Sequence, residues 1–283
     1  MNFRSDLCIE HHEAAKKPND GIKVEEFQNG DIKITRINVF NEKGEKELGR
    51  PCGNYITVQT SPLSGSVGDE EAREVISEEL KLMLPKSGSV LICGIGNTAI
   101  TPDALGPKVA DGILATRHIS KELCEKTGLG ELRSVSVISP GVLGQTGIEV
   151  GEMLYSVIDR ISPSCVIAID ALASRRLSRL GCTVQLSDTG IVPGSGVGNA
   201  RSELSKRTLG IPVISVGVPT VVDAGTLVYD LTGKQCVDSA ALMMITPKEV
   251  DLLISRAAKL ISHAINCTLQ PHISPEDMLM ITA

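Results

Sequence analysis

Two aspartates are the residues best placed to do chemistry in this 283-residue chain, because each stands where an apolar run stops. Asp170 closes the run "CVIAI" directly, with Ala171 behind it. Asp103 follows the run Val90 to Cys93 after a turn-forming loop, "GIGNTAITP". An acid at the end of a buried strand loses water and holds its proton more tightly. Two such acids at neighbouring strand ends can share a proton: one, ionised, activates water, and the other, protonated, polarises a carbonyl. A pair of that kind hydrolyses amides. Asp103 also stands where an ordinary helix-capping carboxylate would stand, so the residues alone leave a purely structural role open for it.

Other chemistries fit the sequence less well. "GIGN" is half of a GxGxxG fingerprint, position 99 being Ala, and no GK[ST] follows, so a phosphate-binding loop is disfavoured. The five histidines, His11, His12, His118, His263 and His272, all lie outside the strand-end loops. Two carboxylates alone suit a hard cation and serve zinc or nickel poorly. No metal or other cofactor is therefore expected. GxSxG is absent, and Ser174, Ser195 and the strand-end cysteines lack a visible histidine partner.

The elements that must position the two acids follow from periodicity. Before residue 86 the chain is charged and polar. "DIKITRINVF" alternates with one break of phase, which predicts a strand with a bulge. "NEKGEKEL" reads as a hairpin turn, "NYITVQT" as a strand, and Asp69 to Pro85 as a helix with acids in its first turn. From Ser89 onward short apolar runs, "SVLICGIG", "SVSVI", "CVIAID", "CTVQLS" and "IPVISVGVP", alternate with helical patterns at Asp103 to Ile119, Gly147 to Ile161 and Val250 to Leu269. That alternation predicts an α/β sandwich around a mainly parallel sheet. In such sheets ligands bind beyond the carboxyl ends of the strands. The long glycine-rich loop "DTGIVPGSGVGN" is expected to close over the same rim.

Composition narrows the class. Aromatic residues make up 2% of the chain and Trp is absent, so the core must be aliphatic. A net charge of −6 argues against direct contact with nucleic acid. The eight cysteines show neither CxxC nor zinc spacing and are expected as free thiols of a reducing, cytoplasmic compartment. Neither a signal peptide nor a membrane-spanning run is expected.

"GIGNTAITPDALGP", "SPGVLGQTGIE", "AIDALASR", "SDTGIVPGSGVGNARSELSKRTLGIPVISVGVPTVVDA" and "MITPKEVD" together resemble the spore germination proteases of spore-forming Firmicutes, along essentially the whole chain. The chain is shorter than is usual in that family, and Asp230 to Leu242 is the expected place of the shortening.

That resemblance implies an endopeptidase of the forespore and spore core that degrades small acid-soluble spore proteins, works as a homotetramer, and is made as a zymogen that cuts itself. The family cleaves after an acid and before a hydrophobic residue. Here this falls at Asp6–Leu7 in "FRSDLCIE", giving a propeptide of residues 1–6, an N-terminal β-rich extension over 7–85 packed on the core, and a catalytic core over 86–283. The resemblance places the family's two catalytic aspartates on Asp103 and Asp170. It implies a three-layer α/β/α sandwich like that of the hydrogenase-maturation endopeptidases. Those use a histidine beside a nickel ion, and a matching histidine is missing here. Gly194, Ser195 and Gly196 are candidate oxyanion donors or a flap. Arg201, directly after the glycine-rich loop, is the candidate partner of a substrate acid. A metal-dependent endopeptidase and a non-catalytic binder of acid-soluble spore proteins are the competing readings.

Overall fold

Apolar runs free of alternation are strands buried on both faces, and the centre of the molecule is built from them. A computed structural model of the protein describes residues 4–15, 20–65, 69–127, 130–234 and 243–282. Among the described residues nine strands form one continuous sheet: β1 (Ile22–Asn29), β2 (Ile32–Val39), β3 (Gly53–Gln59), β4 (Val90–Ile95), β5 (Val135–Gly141), β6 (Cys165–Ser174), β7 (Thr183–Ser187), β8 (Val213–Asp223) and β9 (Met244–Ile245). Their order is β1-β2-β3-β7-β8-β6-β4-β5, with β9 on β8. The four strands β8, β6, β4 and β5 are mutually parallel, as expected of the core. The N-terminal strands are antiparallel and join the same sheet through β3 and β7.

Alternate residues of the central strands enter two different cores. Val90 and Ile92 of β4 and Ile167 and Ile169 of β6 pack with the helices Asp69–Met83 and Val250–Leu269. Leu91, Cys93, Val166 and Ala168 pack on the opposite face with the helix Val150–Ile161. The result is the helix–sheet–helix sandwich. Ile92, Ile167 and Leu91 are fully buried, each such side chain contributing about 1.5–3 kcal/mol.

The phase break in "DIKITRINVF" has a cause other than a bulge. β2 pairs with both neighbours in unbroken register. Ile32 and Ile34 pack in the first core, whereas Ile37 and Val39 pack on the other face against Leu7 and Cys8. The strand changes the face it buries because the N-terminal segment covers its far end. "NEKGEKEL" is a helix, Glu42–Leu48, and not a hairpin turn. Asn41 Oδ1 accepts from the N–H groups of Lys43 and Gly44, and Gly49 ends the helix at φ 62°.

The helix expected from Asp103 to Ile119 is shorter, Leu105–Asp111, after a 3₁₀ turn over Thr101–Asp103. Asn266 of the long C-terminal helix ends it: its amide donates to Gly112 O and accepts from Leu114 N–H. These groups therefore leave the helical ladder. β6 and β8 in turn run past the expected Asp170 and Pro219 to Ser174 and Asp223.

Candidate active site

Asp170 stands inside its strand, at the point where a neighbour leaves. The last residues of β4 and β6 in register are Gly94 and Ile169. Beyond them β4 turns away, and one edge of β6 is open. Asp170 continues the face of Val166 and Ala168, so its carboxyl group sits at the edge of an aliphatic core. It is 4% exposed. The chain leaving β4 carries Asp103 back to the same place.

That return is tight. Asn97 N–H donates to both Asp103 O (3.1 Å) and Asp103 Oδ2 (2.9 Å). Gly96, at φ 136°, lies so close that a methyl group there would stand 2.0 Å from Asp103 O. Thr220 Oγ1 of β8 donates to Pro102 O (2.8 Å) and ties the turn to the sheet. The loop "GIGNTAITP" therefore holds an acid.

The two acids differ in their surroundings. Asp103 is partly open, and burial raises its pKa against the Asn97 hydrogen bond. Asp170 is raised well above the usual aspartate range, first by burial, then by the charges of Asp103 and Asp6; its one compensation is the Ala171 N–H (2.9 Å). Burial and like charge thus disfavour the ionised form of Asp170 more strongly than that of Asp103.

Both acids line a cavity of about 510 Å³. Gly194 and Arg201 line it too, so the glycine-rich loop reaches the rim, but Ser195 and Gly196 are not among the lining residues. Asp6 forms part of the wall. The segment before Leu7 lies along the open edge of β6, Asp6 N–H donating to Ala173 O (2.9 Å). Asp6 Oδ2 accepts from Ala173 N–H (2.8 Å) and Oδ1 from Ser195 Oγ (2.6 Å). Arg4 pairs with Asp223 at 3.3 Å. Residues 1–3 of the expected propeptide, and 235–242 of the expected shortening, lie outside the described residues.

Sequence reasoning missed Gln185. Its Nε2 donates to Asp6 O (3.0 Å) and its Oε1 accepts from Cys8 N–H (2.7 Å), so one side-chain amide brackets the Asp6–Leu7 bond. The available signal was the long polar residue inside "CTVQLS", since a buried amide needs partners. Among the described residues no group of three or more His, Cys, Asp or Glu is arranged to hold a metal ion. Nor is any described helix long and apolar enough to cross a membrane.

The germination protease family model matches residues 4–233. A germination protease of Caldanaerobacter subterraneus subsp. tengcongensis is 42% identical, covering 98% of this chain and 97% of its own. One from Clostridium tetani is 40% identical over 98% of each chain. One from Bacillus licheniformis is 47% identical over 80% of this chain and 62% of its own. The alignment to the first spans 318 positions, so it opens gaps in this 283-residue chain. Among solved structures, a [NiFe] hydrogenase maturation protease, HycI from Thermococcus kodakarensis, aligns at TM-score 0.39 and 18% identity, over 68% of this chain and 98% of its own. With the family model spanning most of its length and two of these relatives nearly all of it, the chain belongs to the germination protease family and is a protease that acts in spore germination.

Proposed function

We propose that the chain is the self-cleaving zymogen of a two-aspartate endopeptidase that degrades small acid-soluble spore proteins after acidic residues in the spore core, as a homotetramer. The observation that carries this reading is the shared cavity. An exposed-side Asp103, a buried Asp170 and the acid of the candidate cleavage site, Asp6, all line it.

Asp103, ionised, takes a proton from a water as the water oxygen attacks the peptide carbonyl carbon. Asp170 gives its proton to the carbonyl oxygen as negative charge grows there. When the tetrahedral centre collapses, the proton held by Asp103 passes to the departing nitrogen, the C–N bond breaks, and Asp170 recovers its proton from the hydroxyl. The unlike environments of the two acids support this division of roles. Asp6 in the cavity wall, bonded to Ala173 at the edge of β6, supports a zymogen in which the N-terminal segment occupies the place of a substrate.

Purified full-length chain, Asp103→Asn and Asp170→Asn are incubated with an acid-soluble spore protein, with and without chelator. Mass spectrometry reads the fragments and the enzyme's own new N-terminus. Cleavage by the unaltered chain alone, indifferent to chelator, with ends after acidic residues and a new start at Leu7, is the expected result. Cleavage by either Asn variant removes the catalytic assignment. Loss with chelator, restored by one metal, selects the metal-dependent alternative, and intact substrate bound without cleavage selects the non-catalytic binder.

A further inference from the structure

The sequence suggests a cation, Arg201, as the reader of a substrate acid, and a glycine-rich loop as an oxyanion donor or flap. The contacts around Asp6 divide the work differently. Resting on the reading that Asp6–Leu7 is a cleaved bond, we infer that Ser195 Oγ, the Ala173 N–H and the space beside Gly196 form the subsite that recognises the acidic side chain preceding the cleaved bond, and that Asp6 is its resident occupant.

Three observations carry this. Both carboxylate oxygens of Asp6 are engaged by neutral donors, Oδ1 by Ser195 at 2.6 Å and Oδ2 by Ala173 at 2.8 Å. The backbone of the same residue is in place along the sheet edge, N–H to Ala173 O (2.9 Å) and O to Gln185 Nε2 (3.0 Å), so side chain and peptide bond are fixed together. Finally, the loop fits round the acid closely: a methyl group on Gly196 would lie 2.1 Å from Asp6 Oδ2. The loop is held in that shape by Arg201 N–H to Pro193 O and Asn199 N–H to Gly194 O, both 2.9 Å.

A neutral cradle also suits the neighbouring chemistry. A guanidinium against the bound acid would favour ionisation of Asp170, whereas a hydroxyl and an amide recognise the carboxylate and leave Asp170 its proton. The charge of the bound acid itself raises the proton affinity of Asp170. An acidic side chain in this subsite therefore favours the protonated form of Asp170 that the reaction uses.

The test is a double-mutant cycle on self-cleavage of the full-length chain: unaltered, Asp6→Ala, Ser195→Ala, and both together. Loss of a hydrogen bond to a charged group predicts that Ser195→Ala slows release of residues 1–6 about tenfold or more. In the Asp6→Ala background the same change has no further effect, and Ser195→Thr, which keeps the hydroxyl, restores the rate. In parallel, fragments of an acid-soluble spore protein are sequenced at their new C-termini. Ser195→Ala and Gly196→Ala shift these ends away from acids. Additive effects in the cycle, with cleavage intact at Asp6–Leu7, overturn the subsite and leave the protease reading standing. Self-cleavage at another bond, with acidic fragment ends that Ser195→Ala loosens, overturns the Asp6–Leu7 assignment and keeps the subsite. An unaltered chain that cleaves neither itself nor the spore protein overturns both.

Discussion

Glu10 and Asp170 are both buried acids, 1% and 4% exposed, and the protein treats them in opposite ways. Around Glu10 every approach is a donor. Ser5 Oγ, the N–H groups of Arg175 (2.6 Å) and Arg176 (2.9 Å), and Arg179 Nη1 (3.3 Å) converge on its two oxygens. Arg179 is itself buried and pairs with Glu13 as well. Asp170 has one donor, the N–H of the next residue, and faces the charges of Asp103 and Asp6. A buried charge is kept when it is fully partnered and discouraged when it is not. Glu10 is therefore an anchor that pins the helix Cys8–Ala14 to the end of β6. In the proposed mechanism Asp170 is the proton store, its ionised form being disfavoured by burial and by the neighbouring acids.

The largest expected effect lies on the Asp170 side. Asp170→Asn lowers cleavage by about 10²- to 10⁴-fold, the range of a lost acid–base group, and does not lower the thermal midpoint. The same variant read against pH sharpens the point. Because its folded-state pKa lies well above the ordinary aspartate value of 3.8, the stability Asp170 contributes is full below that value and is lost as pH rises through the folded value. Asp170→Asn has no such loss. Its midpoint minus that of the unaltered chain widens as pH rises from about 4, as scanning calorimetry at a series of pH values would show. A variant that melts lower at every pH and still cleaves would make Asp170 a second Glu10.

Glu10→Gln is the opposite experiment. It leaves the shape in place and weakens hydrogen bonds to a charged acceptor, an expected loss of about 1.5–3 kcal/mol in denaturant unfolding. Cleavage per folded molecule stays near that of the unaltered chain. If cleavage fell as far as it does in Asp170→Asn, with stability unchanged, the contrast between anchor and proton store would collapse.

How much of this was readable in the chain depends on how local each signal is. Asp103 and Asp170 could be found because each follows an apolar run; Asp170 proves to lie inside β6 and not at its end, at the level where β4 leaves it. The central strands β4 and β6 declared themselves by the apolar runs "VLIC" and "CVIAI". The surroundings that separate Glu10 from Asp170 were not readable: Asp6 meets Ser195 across 189 positions and Gln185 across 179, contacts with no local pattern. β2 misled for the same reason. Its phase break reflects what covers it, Leu7 and Cys8, and these come from another part of the chain. The helix Glu42–Leu48 was hidden because its sequence carries few apolar residues to set a period, and its start depends on one side-chain cap at Asn41.

The smallest effect concerns the one ligand of Glu10 that belongs to the expected propeptide. Ser5 Oγ donates to Glu10 and accepts from Leu7 N–H (3.0 Å), so it bridges the anchor to the candidate cleavage bond. In a chain kept whole by Asp103→Asn, Ser5→Ala removes both bonds, one of them to a charged acceptor, and is expected to cost about 1.5 kcal/mol in denaturant unfolding, less than Glu10→Gln, which weakens the bonds of all four donors. The three remaining donors to Glu10, two backbone N–H groups and Arg179, belong to the chain beyond the cut. If residues 1–6 are released as proposed, the stability of the processed chain is independent of residue 5, and Ser5→Ala and unaltered chains converge to one unfolding curve. A Ser5→Ala cost as large as that of Glu10→Gln would mean that the anchor depends on the segment that the proposed self-cleavage removes. The two buried acids would then be coupled through the N-terminus, and the anchor could no longer be treated apart from the site.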